Sequence, residues 1–434
     1  MAQIQTLIRL MQSLKEPLQT CIRCGTCQTL CPLFAVTGRE QDVARGKLAL
    51  LTGLSQEMFQ NPTGVFERLN RCLLCGACAS GCPRGVDTLE IFLKARAIIA
   101  GYMGLPFIQK ALFRLLLARP DNLDKALKWV SFLQNRMRFG NRTLPERPNS
   151  DFLPPLQSAL RISLAAPPFH DRVSAYSNAS ETSPLRVAFF VGCLIDKIFP
   201  EIAEDTLNVL DYHGISVHLP NHQGCCGMPA LAAGDLVAFD RLMRHHLKQF
   251  DPSDWDYLVT SCATCTSAIK KFWPRMTKDP GMKEQVLMIA DKTMDISRFI
   301  VNMLGVCPSE QTTDRPLRRI TYHDPCHLKK SLGISVEPRS LIRANPAYEL
   351  VEMSQADACC GFGGAFHFKH HSLSSGIGDE KIVHILETGA SAAATGCPAC
   401  MIQIAERSAA AGRSIRVCHP VQIYAETLIT SKHR

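Results

Sequence analysis

Two runs of four cysteines in this sequence have the spacing that binds iron–sulfur clusters. The runs are CIRCGTCQTLCP, which begins at Cys21, and CLLCGACASGCP, which begins at Cys72, and both follow the pattern C-x2-C-x2-C-x3-C-P. In this pattern three cysteines of a run bind one [4Fe–4S] cluster, and the fourth binds the cluster of the other run. Structural zinc is the alternative, although zinc favours paired C-x2-C knuckles over a four-cysteine run that ends in proline.

The pattern predicts two sets of four ligands, which we call the first and second ferredoxin sets. The first ferredoxin set comprises Cys21, Cys24, Cys27 and Cys82. The second ferredoxin set comprises Cys31, Cys72, Cys75 and Cys78. Because each set takes ligands from both runs, the two cysteine loops must fold against each other.

Ten further cysteines form two groups of five, each of which contains the motif Cys-Cys-Gly. The first CCG set comprises Cys193, Cys225, Cys226, Cys262 and Cys265. The second CCG set comprises Cys326, Cys359, Cys360, Cys397 and Cys400. The two sets have nearly equal internal spacing and an offset of about 133 residues, which indicates an internal duplication.

An iron–sulfur cluster is the favoured occupant of each CCG set. Adjacent cysteines do not easily serve one tetrahedral zinc ion because neighbouring side chains diverge, whereas the glycine after each pair lets the backbone approach a bulky inorganic group. Zinc in at least one set, and buried or redox-active thiols without metal, stay open as alternatives. His323 and His327 flank Cys326 and are candidates for groups that hydrogen-bond near the ligands.

No catalytic residue is predicted in this chain. The glycine-rich stretch Gly361–Gly364 lacks the G-x-G-x-x-G form that binds dinucleotides after a strand, and no Ser/His/Asp constellation stands out. Cys307 and Cys418 lie outside both cysteine patterns and are interpreted as ordinary thiols. The sequence therefore carries redox centres without an evident site for an organic substrate.

The bulk properties indicate a multidomain protein of the cytoplasm. The chain has 434 residues, of which 46% are hydrophobic and 20% charged, so two or three domains are expected. Twenty cysteines in C-x2-C spacings in a chain of this length favour metal binding over disulfides. The N-terminal stretch lacks the uninterrupted apolar region of a signal peptide, and no apolar run of about 18 residues is present.

Helical periodicity dominates the first part of the chain. Helices are expected over 4–19, 42–54, 62–69 and 90–100, so residues 1–100 are predicted to form a helical ferredoxin-like domain. Residues 101–184 are predicted to contain two basic amphipathic helices and then a linker rich in Pro, Ser and Asn. Residues 101–150 have nine Lys/Arg and three Asp/Glu. Packing of these helices against the protein is favoured, and a peripheral membrane or partner surface is the alternative.

From residue 185 onward, β-rich apolar runs alternate with helices. Strands are predicted at 185–191, 215–219 and 257–260, and again at 319–322, 348–353, 393–395 and 415–417, with a helix over 230–250. The predicted fold class is α/β with a separate N-terminal all-α part, with duplicated parallel units at 185–305 and 316–434. Each CCG cysteine falls just beyond a strand, where open α/β sheets collect their ligands.

The two cysteine systems together resemble those of the glycolate oxidase iron–sulfur subunit and its relatives, the iron–sulfur partners of D-lactate dehydrogenases and the lactate-utilisation proteins. The motifs that carry the resemblance are Cys21–Pro32, Cys72–Pro83, Gly224–Gly227, YHDPCH at Tyr322–His327 and CCGFGG at Cys359–Gly364. The resemblance implies two [4Fe–4S] clusters, with further clusters or zinc in the CCG units. The CCG units also resemble the catalytic subunit of heterodisulfide reductases.

The resemblance implies an electron-transfer subunit. Its partner would be an FAD-linked oxidase subunit for a 2-hydroxy acid, either glycolate or D-lactate, and its acceptor a quinone or another carrier. FAD is expected on the partner, and no nucleic-acid partner is expected. A reductase that cleaves a disulfide at the CCG clusters is the main alternative, and a docking scaffold is a third. The expected location is the cytoplasm, and the basic helices allow a peripheral position on the inner face of the cell membrane.

Overall fold

A computed structural model describes residues 7, 10–58, 61–139, 163–173, 183, 185–310 and 316–432, with the backbone alone for residues 133–139 and 429–432. The first residues of the helix predicted over 4–19 lie largely outside the described residues, as does most of the predicted linker.

The N-terminal part is built from helices that surround the two cysteine runs. In the described residues it has short 3-10 turns at Gln12–Leu14 and Glu40–Asp42. The α-helices are Lys15–Gln19, Thr26–Thr29, Pro32–Thr37, Ala44–Ser55, Thr63–Asn70, Ala77–Ser80 and Thr88–Met103. Within each cysteine run, a glycine in the left-handed region precedes a short helix: Gly25 has φ of 89° and Gly76 has φ of 72°. These equivalent turns follow from the equal spacing of the two runs, because a left-handed backbone is readily adopted by glycine.

The helix Thr88–Met103 joins the N-terminal part to the rest of the molecule. Asp87 caps it by accepting a hydrogen bond from the backbone N–H of Glu90 at 3.1 Å. Phe92 and Ile99 on this helix are buried in the same hydrophobic core as the first β-sheet. The N-terminal helices and the first sheet unit therefore share one core.

The basic segment after residue 101 packs partly on the protein. The helix Phe107–Ala111 continues into a π-helical turn, Leu112–Leu117, and the helix Pro120–Phe139 follows. The guanidinium of Arg114 donates to both carboxylate oxygens of the buried Asp235, with a shortest distance of 3.0 Å. One of the predicted basic side chains is therefore engaged in a contact within the protein.

Two four-stranded parallel sheets form the duplicated units. The first contains β1 (Arg186–Phe189), β2 (Ser216–His218), β3 (Tyr257–Thr260) and β4 (Thr293–Asp295) in the order β2-β1-β3-β4. The second contains β5 (Arg318–Tyr322), β6 (Tyr348–Leu350), β7 (Ala392–Ala394) and β8 (Arg416–Cys418) in the order β6-β5-β7-β8. The same strand order occurs in both sheets, as expected of a duplication.

Helices cover both sheets. Those of the first unit are Cys193–Ile198, Pro200–Tyr212, Met228–Ala233, Leu236–Leu247, Ala263–Ser267, Trp273–Met276, Pro280–Lys292 and Ile296–Met303, with a π-helical turn at Ala268–Phe272. Those of the second are Cys326–Leu332, Val336–Arg343, Ala365–Lys369, His371–Glu387, Pro398–Ala410 and Pro420–Lys432. The last helix of each unit packs against the other unit, since Ile296–Met303 contacts Val336–Arg343 and Pro420–Lys432 contacts Pro200–Tyr212. The two units therefore pack reciprocally.

The structure differs from three local predictions. The helix expected over 230–250 is two helices that break at Gly234, and the strand β4, which lies directly between the helices Pro280–Lys292 and Ile296–Met303, was not predicted. Part of the predicted linker, residues 163–173, packs on the first unit: Phe169 is fully buried, and the backbone N–H of His170 donates to Asp196 at 3.0 Å.

We expect Gly234→Ala to destabilise the protein. Gly234 has φ of 85°, and an added Cβ would lie 2.7 Å from the carbonyl oxygen of Arg96 on the neighbouring helix. The left-handed conformation alone costs a non-glycine residue about 1–2 kcal/mol, and the contact with backbone adds to this. The free energy of unfolding, measured by denaturant titration, should fall by more than that amount.

Gly101→Ala is the matched control for this substitution. Gly101 lies in the helix Thr88–Met103 with no atom within 4 Å of an added Cβ. Alanine there should raise helix stability by up to about 1 kcal/mol. Equal effects of the two substitutions would contradict the proposed close approach at Gly234.

Candidate metal centres

The second ferredoxin set lies around one cavity. Cys31, Cys72, Cys75 and Cys78 all line it, together with apolar side chains such as Leu74 and Phe92. Burial, and then the charge of Cys75, raises the pKa of Cys31 to about 11. The structure therefore brings the fourth cysteine of the first run to the first three of the second run, as the ligand pattern requires.

The first ferredoxin set is more open to solvent. Burial raises the pKa of Cys27, and Cys21 and Cys24 are close enough to raise it further by charge repulsion. Cys24 is exposed, and its hydrogen bonds with Thr26 lower its pKa. Cys82 follows the short helix Ala77–Ser80, which packs against the equivalent helix Thr26–Thr29 of the first run.

The first CCG set is a connected group of thiols. Cys225 hydrogen-bonds with Cys193 and Cys226, Cys226 with Cys265, and Cys265 with Cys262. All except Cys193 are buried. Three different strands supply these cysteines, since β1 precedes Cys193, β2 precedes the Cys-Cys pair, and β3 precedes Cys262. The carboxyl ends of the parallel strands bring them together.

The second CCG set has the same connections. Cys326 hydrogen-bonds with Cys359, and Cys360 with Cys400, whose sulfur atoms are 3.1 Å apart. Cys397 hydrogen-bonds with Cys400. Its five cysteines follow β5, β6 and β7 in the order in which the first set follows β1, β2 and β3.

Matching backbone geometry makes the two CCG sets equivalent. Gly227 and Gly361, which follow the cysteine pairs, have φ of 91° and 92°. Cys262 and Cys397, which begin the third segment, have φ and ψ of −137° and 112°, and −138° and 112°. Each glycine lets a backbone N–H two residues after the pair donate to the second cysteine.

The second cysteine of each pair has a lowered pKa. Bonds from Cys225 and then Cys265 lower the pKa of Cys226, and bonds from Cys359 and then Cys400 lower the pKa of Cys360. The sets differ at the next cysteine along the chain, since the pKa of Cys397 is lowered by bonds from Cys262 and then Cys400, whereas the pKa of Cys262 is raised.

Two sulfur contacts connect the thiol sets across the domain boundaries. Cys75 of the second ferredoxin set packs beside Cys359, and the interaction of these two thiols, followed by burial, raises the pKa of Cys75 well above its usual value. Cys262 of the first CCG set likewise lies beside Cys397 of the second, since the two thiols shift each other's pKa. The second CCG set consequently lies between the second ferredoxin set and the first CCG set.

The predicted histidines lie beside these cysteines. The Nδ1 atom of His323 is 3.1 Å from the carbonyl oxygen of Ala356, and its ring is close to Cys360 and Cys400. The Nδ1 atom of His327 is 3.0 Å from Thr264 Oγ1. Burial lowers the pKa of both, to about 3 for His323, so both imidazoles are neutral.

Sequence reasoning missed several neighbours of the CCG sets. His419 lies near Cys397, and burial lowers its pKa to about 3. Lys381 is buried near Cys360 and Cys359, and burial lowers its pKa to about 8. Trp273 donates its indole N–H to the carbonyl oxygen of Cys226 at 3.0 Å. His419 follows β8 directly and could have been found from its position at a strand end, whereas Lys381 and Trp273 lie in helices without such a signal.

The two remaining cysteines lie away from these connected thiols. Cys307 is exposed, and Cys418 is buried at the end of β8, where burial raises its pKa to about 12.

The donor chemistry of all four sets fits iron–sulfur clusters. Thiols that lie close together, without disulfides in the described residues, are costly to ionise, as the raised pKa values of Cys31 and Cys75 show. Iron offsets this cost because thiolate is its ligand in such clusters. Lys330, which lies near Cys75, adds positive charge beside the bound thiolates.

Comparisons with known proteins agree with this architecture. A model of the 4Fe-4S dicluster domain matches residues 17–86, and a model of the CCG cysteine-rich domain matches residues 187–270 and 320–405. These matches confirm the predicted fold class, a helical dicluster part followed by duplicated α/β units. They also confirm iron–sulfur clusters as the cofactors.

Curated proteins resemble the chain over all or part of its length. The chain is 28% identical over 423 residues to the probable glycolate oxidase iron-sulfur subunit of Bacillus subtilis, with 94% of each chain covered. It is 33% identical over 239 residues to lactate utilization protein A of Geobacillus kaustophilus, which covers 55% of this chain and 98% of the relative. It is 27% identical over 395 residues to an uncharacterized iron-sulfur protein of Methanococcus maripaludis, with 90% of this chain and 67% of the relative covered.

Proposed function

The chain belongs to the family of iron–sulfur proteins that includes lactate utilization protein A and the glycolate oxidase iron–sulfur subunits, and we propose that it transfers electrons from a flavoprotein that oxidises a 2-hydroxy acid. Membership of this family makes it an electron-transfer component of an oxidoreductase. The partner carries FAD and oxidises glycolate or D-lactate. The electron acceptor is a quinone or another carrier.

The contact between Cys75 and Cys359 is the observation that carries this proposal. It joins the ferredoxin part to the CCG units, so that redox centres at both places would be neighbours. When bound, iron–sulfur clusters supply one-electron transfer. We propose that the ferredoxin sets hold two [4Fe–4S] clusters and that each CCG set holds a further cluster.

Apolar side chains surround the contact between Cys75 and Cys359. Cys75 and Cys359 lie among the buried side chains of Leu33, Leu73 and Phe366. An apolar surrounding keeps water away from the sulfur atoms, and solvent exposure is one of the factors that set cluster potentials.

Reconstitution with the partner tests the proposal. In anaerobic protein the clusters should be reduced by D-lactate or glycolate only after an FAD-containing oxidase subunit is added, and the two proteins should co-purify. The reduction is measured as bleaching of the cluster absorbance. Two ferredoxin clusters predict about eight iron atoms per chain, and four clusters predict about sixteen. Protein that contains zinc without acid-labile sulfide would contradict the electron-transfer role.

Disulfide reduction is a second candidate function because the two CCG sets touch at Cys262 and Cys397. A disulfide bound there would be near thiols of both sets. Turnover of a disulfide by the isolated chain with an artificial one-electron donor, without any flavoprotein, would favour this function over the first.

We also propose that the basic segment holds the protein on the inner face of the cell membrane. Phe107 and Ile108 have 84% and 81% of their surface exposed, and Trp129 and Phe132 on the next helix are also exposed. Exposed apolar side chains beside Lys and Arg suit an interface with anionic lipid. Among the described residues no single helix is long and apolar enough to cross a membrane, although Thr88–Met103 and Phe107–Leu117 pass such a test together with a bend of 116°.

We expect the double substitution Phe107→Ser and Ile108→Ser to weaken binding to vesicles that contain phosphatidylglycerol. Removing two large apolar side chains from a lipid interface should cost about 2 kcal/mol or more of binding free energy. The affinity for the vesicles, measured by flotation, should therefore fall at least tenfold. Val336→Ser removes an apolar side chain that is 68% exposed from the second unit and should have no effect. Unchanged vesicle binding with weakened flavoprotein binding would show that the surface belongs to the partner.

A further inference from the structure

We propose a divalent-metal site formed by His367, His371 and Glu406, separate from the cysteines. The Nε2 atom of His367 is 3.3 Å from Glu406 Oε2, and the Nε2 atom of His371 is 3.2 Å from Glu406 Oε1. One ligand atom from each residue lies within 4.8 Å of the other two. Metal–ligand bonds to imidazole nitrogen and carboxylate oxygen are about 2.0–2.2 Å long, so three donors at these separations can share one ion.

Two consecutive serines hold the other nitrogen of each histidine. The Nδ1 atom of His367 is 3.0 Å from Ser374 Oγ, and the Nδ1 atom of His371 is 3.4 Å from Ser375 Oγ. Metal-binding histidines usually have such a partner on the second nitrogen, which fixes the orientation of the ring. Here the serines direct both Nε2 atoms toward the same carboxylate.

The hydrogen-bond pattern at Ser374 favours a cation between His367 and Glu406. The hydroxyl of Ser374 is 2.9 Å from the carbonyl oxygen of Gly361, which can only accept. If Ser374 donates its single hydroxyl hydrogen to the carbonyl oxygen of Gly361, Nδ1 of His367 must be the donor to Ser374. In neutral imidazole the Nε2 atom then carries a lone pair, and this lone pair faces a carboxylate oxygen of Glu406.

His367 cannot relieve this contact through water. Its side chain is 1% exposed, and its Nε2 atom has no hydrogen-bond partner in the described part of the chain. A metal ion or a second proton on the ring resolves the contact between the two acceptors. Two imidazoles and one carboxylate are a donor set for Zn2+ or Fe2+, and it contains none of the sulfur that binds the clusters.

The position of the site suggests what the metal does. His367 follows the CCGFGG motif and stacks on Phe362 with ring centroids 4.9 Å apart, while Glu406 lies on the helix Pro398–Ala410, which carries Cys400. A metal at this site would tie the segment after Cys360 to the helix of Cys400. The metal would therefore hold these two segments of the second CCG set together without binding its sulfur atoms.

Titration of the full-length, cluster-loaded protein with Co2+ tests this proposal. Loaded clusters occupy the cysteines, and Co2+ reports its ligands through its absorption. We expect one equivalent of Co2+ to bind with visible d–d bands and without a thiolate-to-cobalt charge-transfer band. Excess Zn2+ should remove the bands by competition.

Substitutions at the site and beside it decide the assignment. His371→Ala and Glu406→Gln should each weaken Co2+ binding by about tenfold or more. His370→Ala is the matched control, because His370 is the neighbouring histidine but is not one of the three ligands, and it should leave Co2+ binding unchanged. The cluster absorbance of each variant shows whether the protein is folded.

Three results would overturn the metal site. They are the absence of Co2+ binding, charge-transfer bands that place Co2+ on thiolates, and equal binding by the parent, His371→Ala and Glu406→Gln proteins. The first of these would mean that a second proton on His367 satisfies Glu406. None of them would affect the proposed electron transfer, which is measured by cluster reduction.

Discussion

Cys75→Ala should remove one [4Fe–4S] cluster and slow electron transfer between the ferredoxin part and the CCG units. The iron content should fall by about four atoms per chain. Cys75 is a predicted ligand that also contacts Cys359, so its loss acts on the second ferredoxin set and on the junction at once. Reduction of the remaining clusters by the flavoprotein and hydroxy acid should slow by at least about tenfold, as measured by stopped-flow absorbance.

Cys307→Ala is the matched control for this substitution. Cys307 is an exposed thiol outside all four sets, and its loss should change neither the iron content nor the rate of cluster reduction. If Cys75→Ala retains the full iron content, the ligand assignment is wrong. If it loses iron but keeps the rate, the electrons do not pass through the junction of Cys75 and Cys359.

Arg96→Met should give the largest loss of stability. Arg96 is 4% exposed, and its guanidinium donates to the carbonyl oxygens of Ala232 at 2.6 Å, Leu69 at 2.5 Å and Cys72 at 2.8 Å. Methionine fills similar space but removes three hydrogen bonds to carbonyl oxygens, although that of Leu69 also accepts from the backbone N–H of Cys72 at 3.0 Å. This loss should lower the free energy of unfolding by about 3 kcal/mol or more. Denaturant titration followed by circular dichroism measures the change.

The position of Arg96 adds a second expected effect. Arg96 holds Cys72 of the second ferredoxin set and Ala232 of the first sheet unit. The substitution should therefore also allow a chelator to remove the cluster of the second ferredoxin set more easily. Lys94→Met is the control, because Lys94 lies on the same helix, is 40% exposed and pairs only with Glu90 among the ion pairs of the described residues. Equal stability losses in the two variants would contradict the anchoring role.

The cysteine spacing was the most informative feature of the sequence. Equal C-x2-C-x2-C-x3-C-P runs led to the crossed ligand sets, and the structure places Cys31 in one cavity with Cys72, Cys75 and Cys78. The duplication of the CCG sets led to two parallel units, and both sheets have the same strand order. The predicted fold class is confirmed because strand periodicity is a local property that spacing records. The ligand sets stay a prediction, which the shared cavity of Cys31, Cys72, Cys75 and Cys78 supports.

Local sequence was less informative where a distant backbone decides the conformation. The residues around Gly234 have helical periodicity, but the helix ends there because Gly234 is left-handed and Asp235 caps the next helix by accepting from the backbone N–H of Ala238. The carbonyl oxygen of Arg96, 2.7 Å from an added Cβ, is the distant contact that requires glycine at this position. Packing of the basic segment on the protein was the favoured prediction, but local sequence could not name the partner of Arg114, because Asp235 is remote in sequence and is brought to it by folding.

The sequence by itself determined the duplicated architecture and predicted the donor atoms and their grouping, since these depend on residue type and spacing. Only the tertiary structure decided how the groups meet. The contacts of Cys75 with Cys359 and of Cys262 with Cys397, and the convergence of His367, His371 and Glu406, join residues from separate segments. Such contacts depend on how helices and sheets pack, and no local pattern in the chain records that packing.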